Sequence, residues 1–282
     1  MLSMSAPNLS LREVFEECIS RNITRPNKIS LQTYIPLLDG FENDYKQAGL
    51  RNQIHQVVRQ NYSLDEGDIL EKVYSSRFAK KESCGRHFYD QILITAPDNR
   101  CSLCGKREAT ELDHYLPKTS YANLSVLPIN LIPVCHLCNK AKSTHEPSCY
   151  EDSLFHPYFD NLDSEDWLFS ELNLTPIGTS IIPRINFSIV QDINGSLYQR
   201  LNNIFDKLNL NETWSFYYGQ ALIDIAKSLR ANEEIQQQRL SNYYVKKYLD
   251  IYIRDAKSYV DKKFYEALRR SCEFVDGGFR NI

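Results

Sequence analysis

The sequence predicts a mainly α-helical protein with a small central module stapled by a four-cysteine zinc site, plus a short β-hairpin near 181–198. Three observations predict it. Glycine and proline are scarce, at 10 and 11 of 282 residues, which favours helices over a Gly-rich all-β fold. Apolar residues recur at intervals of three or four toward both ends of the chain. Between those ends, eight cysteines resolve into four singletons and two C-x2-C pairs, Cys101–Cys104 and Cys135–Cys138, with thirty residues between the pairs.

The first segment, 1–95, reads as helical. Asn8 or Ser10 can cap the run LREVFEECISRN. Leu31, Tyr34, Leu37 and Leu38, then Leu50, Ile54, Val57 and Val58, hold helical spacing. Ile69, Val73, Phe78, Phe88, Ile92 and Leu93 continue it across a break near Gly85. Pro97, Asp98 and Asn99 turn the chain. The second segment, 96–160, has only short apolar runs, 124–127 and 129–134. Short strands and one helix starting near Cys138 fit such lengths. The third segment, 161–282, alternates apolar and polar residues over 180–199 around Asn194-Gly195, a hairpin signal. Trp214, Tyr218, Leu222, Ile225 and Leu229 then form one helical stripe. Tyr248, Ile251, Ala256, Tyr259, Phe264, Leu268 and Cys272 form a second. The 18 tyrosines, at such spacing, read as amphipathic core.

Composition excludes several classes. Hydrophobic residues at 42% and charged residues at 24% match an ordinary globular chain. No run approaches the roughly 20 apolar residues that span a bilayer. The N-terminal MLSMSAPNLSLREVFEE meets acidic residues before any stretch of signal-peptide length. No membrane contact and a cytoplasmic location are therefore expected. A net charge of −3 means that nucleic-acid contact must use a local patch. Residues 101–145 carry five basic against three acidic residues, and Arg77, Lys80, Lys81, Arg86 and Arg100 extend that basic face. Residues 146–172 invert the balance, with eight acidic residues and no Lys or Arg. That stretch is a solvated linker surface or, on the sharper reading, a partner-docking surface.

In a chain of this kind, paired cysteines read as a metal site before they read as disulfides. A C-x2-C turn presents two thiolates on one tight knuckle. Two knuckles, Cys101/Cys104 and Cys135/Cys138, complete a tetrahedral shell for Zn²⁺. Four thiolates leave no open position, so the zinc is structural and the chemistry lies elsewhere.

Four polar residues stand between or beside the knuckles: Asp113, His114, Asn130 and Asn139. Asp and Asn offer hard oxygen ligands suited to Mg²⁺ or Mn²⁺. Histidine is a general base near neutral pH. One base, two oxygen ligands and a divalent ion are a minimal kit for hydrolysing a phosphodiester. Neighbours on a regular strand point to opposite faces, so Asp113 and His114 share a site only if the strand ends or bulges there; Pro117 allows that. Lys118 and Lys142 are candidates for phosphate contact, and His145 is an alternative metal ligand. His156 in FHPYFD reads as a packed, hydrogen-bonded residue, and His136 as an exposed one.

The run LDHYLPK, then INL, then C-x2-CNKAK, inside the double C-x2-C frame, resembles the HNH family of ββα-metal nucleases. The likeness covers about residues 99–145. It implies a metal-dependent endonuclease with His114 as general base, Asp113 on the catalytic ion and Asn130 helping to hold the base. The last letter of the motif falls on Asn139 as a further ion ligand, making an H-N-N variant. The implied cofactors are structural Zn²⁺ and catalytic Mg²⁺ or Mn²⁺, and the implied substrate is nucleic acid, DNA first. More loosely, the long flanks and the motif LDHYLPK…PINLIPVCxxCN resemble the HNH components of bacterial anti-phage systems of Septu and retron-associated types. That likeness implies a protein partner such as an ATPase. Two readings compete: a non-catalytic zinc-stapled adaptor for nucleic acid or protein, and a helical scaffold in which the quartet is only a staple.

Overall fold

Helices carry most of the chain, and each of its two units holds one antiparallel hairpin. The structure, a computed structural model, describes residues 1–21, 23–162, 165–177 and 180–282. The units are residues 1–161 and 162–282.

In the first unit, α1 (Leu11–Cys18) starts where the Ser10 hydroxyl accepts from the Glu13 amide at 3.1 Å, satisfying one orphan N–H. Its buried residues are Leu11, Val14, Phe15 and Cys18, one face of a 3.6-residue repeat. Next come α2 (Arg25–Gln32) and α3 (Leu38–Leu50). On α3, a Cβ at Gly49 would lie 2.5 Å from the Phe159 ring, so only glycine lets these segments close. A reciprocal Ser63–Glu66 capping box opens α4 (Leu64–Lys72). That helix passes into a π-helical turn, Val73–Phe78, before α5 (Arg86–Leu93). Strand β1 (Glu111–His114) pairs antiparallel with β2 (Leu131–Val134), Glu111 opposite Val134 and His114 opposite Leu131. Helix α6 (His136–Lys142) follows at once, and α5 packs on both strands.

In the second unit, β3 (Leu168–Ile177) pairs along its length with β4 (Ser180–Ile189). Five helices follow: α7 (Gly195–Lys207), α8 (Leu210–Gln236), α9 (Asn242–Arg254), α10 (Tyr259–Arg270) and α11 (Cys272–Val275). Strand β3 packs on α10 and β4 on α8. Trp214 is fully buried at the centre, its ring 5.5 Å from Phe187, 5.6 Å from Phe205 and 6.4 Å from Trp167. The expected stripe from Trp214 to Leu229 is buried along α8.

Two expectations are corrected. The hairpin near 181–198 lies earlier, pairing 168–177 with 180–189. Asn194-Gly195 is no hairpin turn: the Asn194 side chain accepts from the Ser196 and Leu197 amides at 3.1 and 3.3 Å and caps α7. The carboxamide that suits asparagine to a tight turn equally suits it to a helix start. The second stripe is broken at residues 255–258, between α9 and α10. Helix α9 buries Val245 and Leu249, while Ile251 and Cys272 are exposed.

Asn194→Ala is expected to lower stability by about 1 kcal/mol, whereas Asn194→Ser, a good cap but a poor primed turn, stays within about 0.5 kcal/mol of wild type. Urea unfolding checks both; equal losses would remove the capping role.

Candidate functional site

The first knuckle is held by a small antiparallel bridge between Arg100 and Glu108. The Cys101 amide donates to the Arg107 carbonyl at 2.8 Å, and the Gly105 amide to the Cys101 carbonyl at 2.8 Å. Gly105 has φ +67°, a conformation that costs most other residues about 1 kcal/mol or more. In the second knuckle Cys135 caps α6, its sulfur accepting from the Cys138 amide at 3.5 Å. The Ser102 amide donates to the Pro133 carbonyl at 3.0 Å, docking the first knuckle on β2.

The sulfurs of Cys101, Cys104, Cys135 and Cys138 are buried and lie within 4.8 Å of one another. One ion about 2.3 Å from each sulfur fits that span. Hydrogen bonds among the four thiols push Cys104 and Cys135 down, Cys135 to about 6, and push Cys101 and Cys138 up. Four buried sulfurs this close together are the donor set that Zn²⁺ takes.

An open cleft of about 560 Å³ collects Tyr74 from the π-helical turn, Asp113 and His114 from β1, Lys118, and Asn139 from α6. Strand β1 ends at His114, which lets both neighbours reach one cleft. The His114 Nε2 lies 2.8 Å from the Ser125 carbonyl. A carbonyl only accepts, so Nε2 carries the proton and Nδ1 keeps its lone pair. The Tyr74 ring meets the imidazole edge at 4.3 Å, and the Tyr74 hydroxyl donates to the Leu112 carbonyl at 3.1 Å. Burial pushes the His114 pKa down to about 3, so the ring is neutral at ordinary pH.

Asp113 is buried, and that burial raises its pKa against the opposing pull of Lys142. Lys142 Nζ stands 3.1 Å from Asp113 Oδ2, so the ammonium and this buried carboxylate form an ion pair at the cleft. Lys142 departs from its expected role as a substrate contact. It is 2% exposed, and its ammonium faces inward, donating to the His114 carbonyl. A buried ammonium costs several kcal/mol unless it is paired, and Asp113 supplies the pairing. Lys118 keeps to the cleft, half-exposed and tied to Glu71 at 2.9 Å.

Asn130 is fully buried, and its side-chain hydrogen bonds go to Tyr45, Leu116 and Leu124. Its Oδ1 accepts from the Tyr45 hydroxyl at 2.9 Å and the Leu116 amide at 2.8 Å. Its Nδ2 donates to the Leu116 and Leu124 carbonyls at 3.1 and 3.3 Å. The chain extends to His156, whose Nε2 lies 3.1 Å from the Tyr45 hydroxyl and whose Nδ1 accepts from the Tyr158 amide at 3.3 Å. Asn130 thereby closes the 115–130 excursion, and that excursion presents Ser125 to His114. Sequence reasoning found His156 as a packed residue. It missed Tyr45, Tyr74 and Ser125, which carry no local signal.

The remaining expectations sort by partner. His145 Nε2 lies 2.8 Å from the Asp152 carbonyl, and His145 is not among the residues that line the cleft. His136 is exposed and pairs with Glu111 at 3.1 Å. On the expected basic face, Arg77 donates to the Arg21 carbonyl and Arg86 pairs with Asp90, which leaves Lys80 and Lys81 exposed. The acidic stretch is partly engaged: Glu146 by Arg59 and Tyr121, Asp160 by the His156 amide, Asp166 by Lys263 and Tyr259. Asp163 lies outside the described residues.

No family model matches the chain, and no solved structure matches it. The chain is similar to protein ea31 of Escherichia phage lambda, 25% identical over 300 residues that cover 98% of this chain and 100% of that protein. It is also similar to the Septu protein PtuB of Bacillus thuringiensis, 36% identical over 67 residues, which are 22% of this chain and 26% of that protein. Among the described residues, no helix is long and apolar enough to cross a membrane.

Two outcomes test this geometry. Cys135→Ser is expected to lose zinc and thermal stability together, because structural zinc binding is folding free energy; atomic absorption and melting curves read both. Asn130→Ala strands several buried partners and is expected to cost about 2–4 kcal/mol while zinc stays bound. Zinc-loaded protein with unchanged stability would remove Asn130 from its closing role.

Proposed function

We propose that the chain is a metal-dependent endonuclease of HNH type that hydrolyses phosphodiester bonds of nucleic acid, DNA first among them. One observation carries this reading: His114, whose Nδ1 keeps its lone pair, lines the same open cleft as the carboxylate of Asp113 and the carboxamide of Asn139. The order β1, excursion, β2, α6 supports it, since this is the element order that the ββα-metal likeness implies.

The roles follow from the atoms. The Ser125 carbonyl fixes the His114 tautomer and aims the ring. Nδ1 takes a proton from water, which attacks phosphorus, and the phosphorus–oxygen bond to the departing strand breaks. An anionic phosphate beside the ring raises its pKa and makes it a better base at that moment. Asp113 and Asn139 would hold a hard divalent ion. One carboxylate, one carboxamide and the substrate's phosphate oxygens are a donor set typical of Mg²⁺. When bound, such an ion neutralises charge on the scissile phosphate and on the departing oxygen. Lys118, at the cleft, is placed to meet phosphate.

The likeness to PtuB supports a role in the conflict between phage and host, as a nuclease working with a protein partner such as an ATPase. The likeness to a lambda protein along the whole chain extends that setting to the phage side. One observation favours the non-catalytic adaptor: the charge of Asp113 is already met by Lys142. Metal titration separates the two.

His114→Ala is expected to slow plasmid cleavage by about 10²–10⁴-fold with zinc content unchanged. Cleavage at wild-type rate would exclude His114 as the base. Asp113→Ala is expected to raise the Mg²⁺ concentration needed for activity more than Asn139→Ala does, since a carboxylate brings a full charge and an amide a dipole. If neither variant shifts the Mg²⁺ dependence, the ion sits elsewhere.

A further inference from the structure

A second concavity, about 280 Å³, lies between α3, the segment that follows it, and the 115–130 excursion. Its lining is unusual for a protein surface. Four glutamines, Gln47, Gln53, Gln56 and Gln60, join Asn123 around the aromatic ring of Phe41, with Arg51 and Asp44 beside them. Asn123 is 7% exposed, yet its Oδ1 finds no donor in the protein. Buried polar side-chain atoms rarely lack partners, and each lack calls for an explanation. Asn123 and Leu124 line this concavity, and the next residue, Ser125, holds His114.

A carboxamide presents a donor and an acceptor side by side. That pairing matches the edge of a nucleobase, as when Asn or Gln bonds adenine in two places. An aromatic ring offers a face for an unstacked base, and a guanidinium offers a fork for its phosphate. The volume is below the roughly 300–1,000 Å³ of drug-sized ligand sites, which suits one base rather than a large cofactor. We propose that this concavity is a nucleobase subsite, in which Asn123 and its neighbouring glutamines read the edge of one unpaired base, one residue along the chain from the carbonyl that aims His114. The base belongs to a single-stranded or locally opened nucleic acid, or to a free nucleotide. The proposal deepens the nuclease reading but depends on it only for the source of the base.

The test uses the full-length, zinc-loaded protein without added Mg²⁺, so that binding is measured apart from cleavage. Calorimetric titration compares the four deoxynucleoside monophosphates, deoxyribose 5-phosphate and the four homotetranucleotides. At least one base is expected to bind saturably and at least about tenfold more tightly than the sugar phosphate, the discrimination that one bidentate base contact gives. Tetranucleotides binding more tightly than monophosphates identify a strand as the source; equal affinities identify a free nucleotide. Asn123→Leu is expected to weaken binding about tenfold. Gln47→Leu with Gln56→Leu, both exposed positions that leave the fold intact, is expected to do the same. No saturable binding by any base, equal binding of the sugar phosphate, or wild-type affinity in the glutamine variant would each overturn the proposal. A chain that cleaves DNA yet binds no base refutes the subsite alone. A chain that binds a base yet cleaves nothing refutes the nuclease reading and leaves the subsite standing.

Discussion

The first unit is organised around the convergence of four sulfurs. Residues 99–109 and 131–142 are short pieces with little core of their own, and neither could hold its shape alone in water. The cluster of Cys101, Cys104, Cys135 and Cys138 ties them together. Cys135 does so from the N-cap of a helix, so its place fixes both the end of β2 and the start of α6. Helix α6 carries Asn139 and Lys142, and β2 sets the register of β1, which carries Asp113 and His114. The elements that line the cleft are therefore brought together by the cysteine cluster, which does not itself line it. A shell of four thiolates is coordinatively closed, which keeps the two roles apart.

A second constraint is a buried chain of hydrogen bonds running from the Tyr158 amide through His156 and Tyr45 to Asn130. A carboxamide has two donors and an acceptor with two lone pairs, and Asn130 uses both kinds on the ends of one excursion. In a low-dielectric interior each such bond is strong and each missing one is costly. The excursion is thus held in one shape, and the Ser125 carbonyl with it. The hydroxyl of Ser125 adds a bond to the Leu70 carbonyl at 3.1 Å, tying the same point to α4. Aim at His114 comes from the backbone of this excursion rather than from a neighbouring side chain.

Electrostatics in the cleft pull in two directions. Burial raises the pKa of Asp113, and Lys142 opposes that by standing 3.1 Å away. The same ammonium anchors the carbonyl of His114, so one side chain links Asp113 to the residue beside it.

What the sequence determined alone were features set by local spacing. Two C-x2-C turns can be read directly because a tight turn fixes where both thiolates go. The Asp113-His114 pair, Asn139 one step past Cys138 and the Trp214–Leu229 stripe are local in the same way. Asn194-Gly195 shows the limit: one carboxamide serves a turn or a cap equally well, and only the pairing of 168–177 with 180–189 decides between them. Lys142 shows it again, since a lysine next to a metal motif reads as a phosphate contact until packing turns its ammonium inward toward Asp113. Tyr74 reaches His114 from forty residues away through a π-helical turn, Tyr45 reaches Asn130 from 85 residues away, and Ser125 acts through its backbone. Such contacts leave no trace in spacing or residue type, because burial and direction arise only when distant segments share one interior.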